Sequence, residues 1–210
     1  MSRGATARLF VAVELPQPVR EQLADWARAA AGAMRTAGAA RGALRLLEAQ
    51  SLHLTLCFLG SRPVEELGEL AEALAPCAEH ACELSIGAPL WLPQRRPQAL
   101  AVEIHDRDGT LVRAQLRVTA ALSNASGWLP ERRRFTPHVT VARVRRGARP
   151  RARPAVSVPG EPRARALCEQ PLPATPRLSF TAEEMVLYRS WLSPRGASYE
   201  ELVSCALAGG

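Results

Sequence analysis

Two short segments of this 210-residue chain share one pattern of reactive side chains. His53-Leu54-Thr55-Leu56 and His138-Val139-Thr140-Val141 are both His-x-Thr-x with an aliphatic residue at each x. In a strand, residues two apart point to one face, so each segment would present an imidazole and a hydroxyl together while its aliphatics anchor in a core. The chain has four His and nine Thr. A given His then has roughly a 4% chance of a Thr two positions on, and two such hits arise in about 1% of chains of this composition. One copy alone reads best as the polar face of an amphipathic strand; two copies at matching places read as a site. Imidazole titrates near neutral pH, so a facing pair can hold one neutral ring as general base and one protonated ring as general acid. Hydroxyls beside them can donate hydrogen bonds to an anion. A phosphodiester meets that description, because in-line hydrolysis needs a base for water, an acid for the leaving oxygen and donors for the equatorial oxygens.

That scheme calls for no metal and no cofactor. The tightest set of potential ligands, Cys77, His80 and Cys82, lacks the partners that would complete a four-ligand site. The five cysteines (57, 77, 82, 168 and 205) are odd in number and irregular in spacing, which argues against a disulfide framework. His80 and His105 have no Thr partner and are expected at the surface.

For the two motifs to meet, the chain must place them on strands of one folded unit, and its periodicity supplies such strands. Arg8 to Leu15 reads as a buried strand closed by Pro16 and Pro18, and Val19 to Met34 as a helix with Val19, Leu23, Trp26 and Ala30 on one stripe. The stretch from Leu44 ends in the alternating run Leu52 to Phe58, and a second helix is predicted from Val64 to about Ala81. The order then repeats. Strands are predicted at 84–92 and 99–104, a helix at 109–123, and a strand at 134–143 that carries the second motif. A strand at 183–189 and a hairpin partner at 198–207 close the chain. Each half opens with a hydrophobic strand, continues with a helix and ends on a His-x-Thr strand. This predicts an α+β fold, a single domain over 1–210 made of two pseudo-symmetric lobes with a cleft between them.

Charge is unevenly spread. The chain has 27 basic residues, all Arg, and 20 acidic ones, for a net +7. Residues 132–165 hold eleven Arg against the single Glu161, a net +10, which leaves −3 for the rest. Arg132 to Arg134 precede the second motif and read either as a track for an RNA backbone or as a solvated charge run. Arg143 lies five residues after His138, so strict alternation puts it on the opposite strand face; it reads as a phosphate contact where the strand ends or as a surface residue. Phe58 and Phe135 fall on the core-facing parity of their strands. Seven of the seventeen prolines lie between 150 and 176, which predicts a Pro- and Arg-rich loop over about 147–176. With 47% hydrophobic residues the composition is that of a folded globular chain. No apolar run approaches the roughly 18 residues of a membrane span, and the start of the chain does not read as a secretion signal. A cytoplasmic location and no membrane partner are expected.

These segments resemble the 2H phosphoesterases, named for their two His-x-Thr motifs, and within them the bacterial RNA 2′,3′-cyclic phosphodiesterases, first described as 2′-5′ RNA ligases. Arg8 to Pro16 resembles the family's opening strand, Leu52 to Gly60 its first motif, Phe135 to Arg143 its second, and Met185 to Ser190 with Gly196 to Tyr199 its closing hairpin. The resemblance implies antiparallel sheets lining the cleft with helices outside. It also implies hydrolysis of a terminal 2′,3′-cyclic phosphate on RNA to a 2′-phosphate, with His53 as proton donor, His138 as proton acceptor, and Thr55 and Thr140 on the phosphate. By the same resemblance Tyr188 lies near the cleft, where it could stack on a terminal base; Arg134 and Arg143, from their places beside the second motif, are candidate substrate contacts. The residues alone leave the two His roles interchangeable. Two features depart from the family: Cys57 stands where a basic residue is common, and the stretch after the second motif is not helical in pattern. A monomer acting on RNA ends is expected. The alternatives are an RNA-end binding module without turnover, and an enzyme of the same chemistry acting on small cyclic nucleotides or ADP-ribose cyclic phosphate.

Overall fold

The computed structural model describes residues 5–37, 42–94, 96–145, 168–193 and 196–207. The Arg-rich stretch 146–167, and with it most of the loop expected over 147–176, lies outside them. The described elements run β1 (Thr6–Val13), α1 (Gln17–Thr36), β2 (Leu44–Leu46), β3 (Leu54–Pro63), α2 (Leu67–Leu74), β4 (Cys82–Leu92), β5 (Ala99–Asp106), α3 (Thr110–Ser126), β6 (His138–Val144), β7 (Ser179–Ala182), β8 (Glu184–Ser193) and β9 (Gly196–Ala206).

Local sequence explains most of these boundaries. Pro18 sits in the first turn of α1, where a missing N–H costs nothing. That helix buries Val19, Leu23, Trp26, Ala27, Ala30 and Met34, a stripe at three- and four-residue spacing. α3 is bracketed by Gly109 and Gly127, both in the left-handed region that glycine tolerates. The second helix is much shorter than its pattern predicts. Its α-helical part covers only Leu67–Leu74, with single 3₁₀ turns at Val64–Glu66 and Ala75–Cys77. Pro76 lacks the N–H that would continue the ladder, so the apolar stripe outlasts the helix. β7 has no counterpart in the sequence reading; its four residues are too few to show a period of two.

The strands form one nine-stranded sheet in the order β7-β4-β5-β6-β3-β1-β8-β9, with β2 added alongside β6. Every pairing is antiparallel. Outward from the centre, β3-β1-β8-β9 on one side mirrors β6-β5-β4-β7 on the other. The α+β class and the two-lobed plan agree with the sequence reading, but the lobes share a continuous sheet rather than owning separate ones. The two motif strands, β3 and β6, meet at a single backbone pair, Leu54 with Val139, beside which β2 of the first half pairs with β6 over Leu44–Leu46. One face of the sheet holds Leu9, Val11, Leu54, Leu56, Leu100, Val102, Val139 and Leu187, and the three helices bury their apolar stripes against it in one hydrophobic cluster. The opposite face is left for the site. No helix among the described residues is long and apolar enough to cross a membrane.

Candidate active site

Leu54 and Val139 are both fully buried, which turns their neighbours to the helix-free face. Continuing the antiparallel register one residue either way sets His53 across from Thr140 and Thr55 across from His138. All four are half-buried. The structure therefore brings the two motifs together, each imidazole facing the other motif's hydroxyl. The rings are anchored alike. Nδ1 of His53 donates to the carbonyl of Ser51 at 2.9 Å, and Nδ1 of His138 donates to the carbonyl of Thr136 at 2.7 Å. A carbonyl only accepts, so each Nδ1 carries hydrogen and each Nε2 is the nitrogen left for chemistry.

The strands carrying the motifs are bulged at equivalent points. On β3 the partners of Val11 and Ala12 are Cys57 and Thr55, leaving Leu56 as the extra residue. On β6 the partners of Leu100 and Ala101 are Ala142 and Thr140, leaving Val141 extra. In both motifs the bulge is the residue directly after Thr, and it reverses the alternation beyond it. Residues five positions after each His, Phe58 and Arg143, thereby join the site face. Both assignments made from simple parity are corrected. Arg143 shares the face of His138 and Thr140, and Phe58 pairs with Phe10 on the cleft side, its ring covered by the Arg8 guanidinium at 4.3 Å. Cys57 turns into the core instead, 8% exposed, where burial pushes its thiol up to about 12. It is not at a phosphate contact, so its departure from the family pattern leaves the site face untouched. Phe135 packs against the core, as expected.

An aromatic wall stands behind His53. The Phe10 ring stacks on His53 at 4.8 Å and on Tyr188 at 5.1 Å, while Tyr199 meets both His53 (5.1 Å) and Phe10 (5.2 Å) edge-on. Tyr188 is thus beside the first motif, and its hydroxyl donates to Glu14, whose other oxygen pairs with Arg20 at 2.8 Å. Burial against these rings pushes His53 down to about 4; the Ser51 carbonyl partly opposes this, and the positive fields of Arg143 and His138 add to it. Burial likewise raises the Tyr188 and Tyr199 phenols. The second lobe is built differently. Where β1 offers Phe10, the equivalent position on β5 is Ala99, and Ala101 pairs with Thr140. Glu103 lies across from His138, with His105 at 3.7 Å from its carboxylate.

Arg134 is exposed on the segment before β6 and makes no hydrogen bond or ion pair among the described residues; His80 and His105 are exposed as expected. Sequence reading misses Phe10 and Tyr199, which pack on His53, and Arg8, which covers Phe58. Phe10 carries a signal, being a large apolar residue on the wrong parity for the core. The others depend on which distant strands become neighbours.

Residues 13–88 match the family model of LigT-like phosphoesterases, a range that holds the first motif. The RNA 2′,3′-cyclic phosphodiesterase of Escherichia coli (strain K12) is 28% identical over 144 residues, 65% of this chain and 71% of that protein. The protein of the same name from Aeropyrum pernix is 30% identical over 107 residues, 50% of this chain and 60% of that one. The crystal structure of TT0787 of Thermus thermophilus superposes with a TM-score of 0.69 at 26% identity, covering 96% of this chain and 98% of that one. With the second His-x-Thr strand set against the first, the chain has the fold of TT0787 and, over residues 13–88, is similar to the LigT-like phosphoesterases.

Proposed function

We propose that the protein hydrolyses terminal 2′,3′-cyclic phosphates of RNA to 2′-phosphates, without a metal, by acid–base catalysis between His53 and His138. The observation that supports this best is the Leu54–Val139 pair, whose antiparallel register puts His53 across from Thr140 and Thr55 across from His138, with both imidazoles anchored through Nδ1. In this reading the hydroxyls of Thr55 and Thr140 donate to the non-bridging oxygens of the cyclic phosphate. One Nε2 takes a proton from water, the water oxygen bonds to phosphorus, and the bond to the 3′ oxygen opposite it breaks. The other Nε2–H protonates that oxygen, leaving the phosphate on the 2′ oxygen.

The family resemblance gives the donor role to His53 and the acceptor role to His138. His53 is held neutral in the free protein, so in the donor role it takes up a proton as the phosphate binds. An anion between the rings favours the imidazolium and opposes the fields of Arg143 and His138. The curated relatives carry the name of this activity, which supports the substrate chosen.

The test is incubation of EDTA-treated protein with an oligonucleotide ending in a 2′,3′-cyclic phosphate, with the product end identified. Opening to a 2′-phosphate is expected, and His53→Ala or His138→Ala should each lower kcat by about 10²- to 10⁴-fold. Tight binding with an intact cyclic end, activity that survives both substitutions, or dependence on an added divalent metal would overturn the reading.

A further inference from the structure

Arg45 and Arg143 are directly opposite each other across the β2–β6 ladder. Like charges in that position destabilise an antiparallel pair, and both side chains lie on the face of Thr140, because Arg143 follows the Val141 bulge. A third guanidinium comes from the other lobe. Arg8 lies in the cross-strand row Arg8–Ser190–Tyr199 on that same face. Arg45 reaches across to the start of β9, where a Cβ added to Gly196 would stand 2.6 Å from its Nη1. Three strands thus carry guanidiniums on this face, and the positive fields of all three reach the Tyr199 hydroxyl. Among the described residues, no carboxylate lies within ion-pair distance of Arg8 or Arg143.

We infer that Arg8 and Arg45, at the Arg143 edge of the cleft, form a second anion subsite for the internucleotide phosphate next to the terminal nucleotide, so that the enzyme selects oligonucleotide ends over cyclic mononucleotides. The inference rests on the Leu54–Val139 pair marking the cyclic-phosphodiester site. A single scissile phosphate between two His and two Thr needs no such cluster. Thr140 and Arg143 pair with Ala101 and Ala99, two residues apart on β5, so about 7 Å of strand separates them and the guanidiniums past Arg143 are displaced from the reacting phosphorus. Phe10, Tyr188 and Tyr199 stand together beside His53 and offer ring faces and edges, surfaces that suit a ribose or a base. Guanidinium is the group that binds phosphate oxygens in pairs. An anion here also offsets the repulsion between Arg45 and Arg143.

The test uses three substrates: a 2′,3′-cyclic mononucleotide, a dinucleotide with the same cyclic end, and that dinucleotide with an uncharged methylphosphonate linkage. The wild-type protein should show kcat/KM at least about tenfold higher for the charged dinucleotide than for the methylphosphonate, the worth of one charge-assisted hydrogen bond. Arg45→Gln and Arg8→Gln should each bring that ratio toward one. Equal wild-type rates on the two dinucleotides, with all three substrates opened, would overturn the subsite and leave the phosphodiesterase reading standing. No opening of any substrate would overturn both. Because the wild-type comparison needs no variant, a misfolded substitution does not decide the result.

Discussion

Leu54 of β3 and Val139 of β6 form the one backbone pair between the two motif strands, and all four motif side chains flank it. A perturbation there should therefore cost activity beyond its cost in stability. Leu54→Ala opens a cavity at a fully buried position and should destabilise by about 2–5 kcal/mol. Leu23→Ala on α1 is a matched control, since Leu23 is equally buried but on a helix behind the sheet. Urea denaturation paired with steady-state kinetics at a temperature where both variants are folded should show comparable losses of stability but a kcat loss for Leu54→Ala only.

Cys57 provides a contrast, because it is four residues from His53 yet belongs to the core. Its thiol is buried with its ionisation pushed up to about 12, so at pH 8 it should resist iodoacetamide in the native state and react once the chain unfolds. Cys57→Ser buries a hydroxyl in place of the thiol and should lower stability by about 1–3 kcal/mol with kcat unchanged. Rapid native alkylation, or a kcat loss in Cys57→Ser, would place Cys57 at the site instead.

The residues Cys57, Phe58 and Arg143 also show where sequence reading stops. His53, Thr55, His138 and Thr140 are legible because the period of two holds from His to Thr in each motif and the intervening aliphatics declare the core face. Beyond Thr the period breaks, yet Leu56 and Val141 look like ordinary members of an alternating run. Their bulges exist only relative to β1 and β5, where two residues oppose one. The same limit hides the aromatic wall: Phe10, Tyr188 and Tyr199 come from β1, β8 and β9, strands far apart in the chain that become neighbours only through the sheet order. α2 departs from its pattern for a local reason, a proline outweighing an apolar stripe.

Arg143 tests the second bulge directly. If it shares the site face, Arg143→Gln should lower kcat/KM by about tenfold or more, the loss of a charge-assisted contact to phosphate. It should also raise the His53 pKa, because the Arg143 charge is among the causes that depress it. NMR titration of the His53 ring in the free protein reads that shift without substrate. No change in either quantity is what an Arg on the opposite, solvent-facing parity would give.

The depressed ionisation of His53 also has a sign in the stability of the fold. In the unfolded chain an imidazole titrates near 6.5, and in the folded protein His53 titrates at about 4. Between those values the unfolded state binds the extra proton, so stability is lost as pH falls from about 6.5 toward 4. Above 6.5 both states are neutral at this ring, below 4 both are protonated, and the contribution is flat on either side. Carboxylates titrate in part of the same window, so the wild-type curve alone does not isolate the effect. His53→Phe keeps an aromatic ring against Phe10 and Tyr199 while removing the proton site. Urea unfolding of both proteins from about pH 7.5 to 3.5 should show wild type losing stability relative to His53→Phe on acidification, with the difference concentrated between 6.5 and 4. Parallel curves through that window would mean that His53 is not held neutral by its burial.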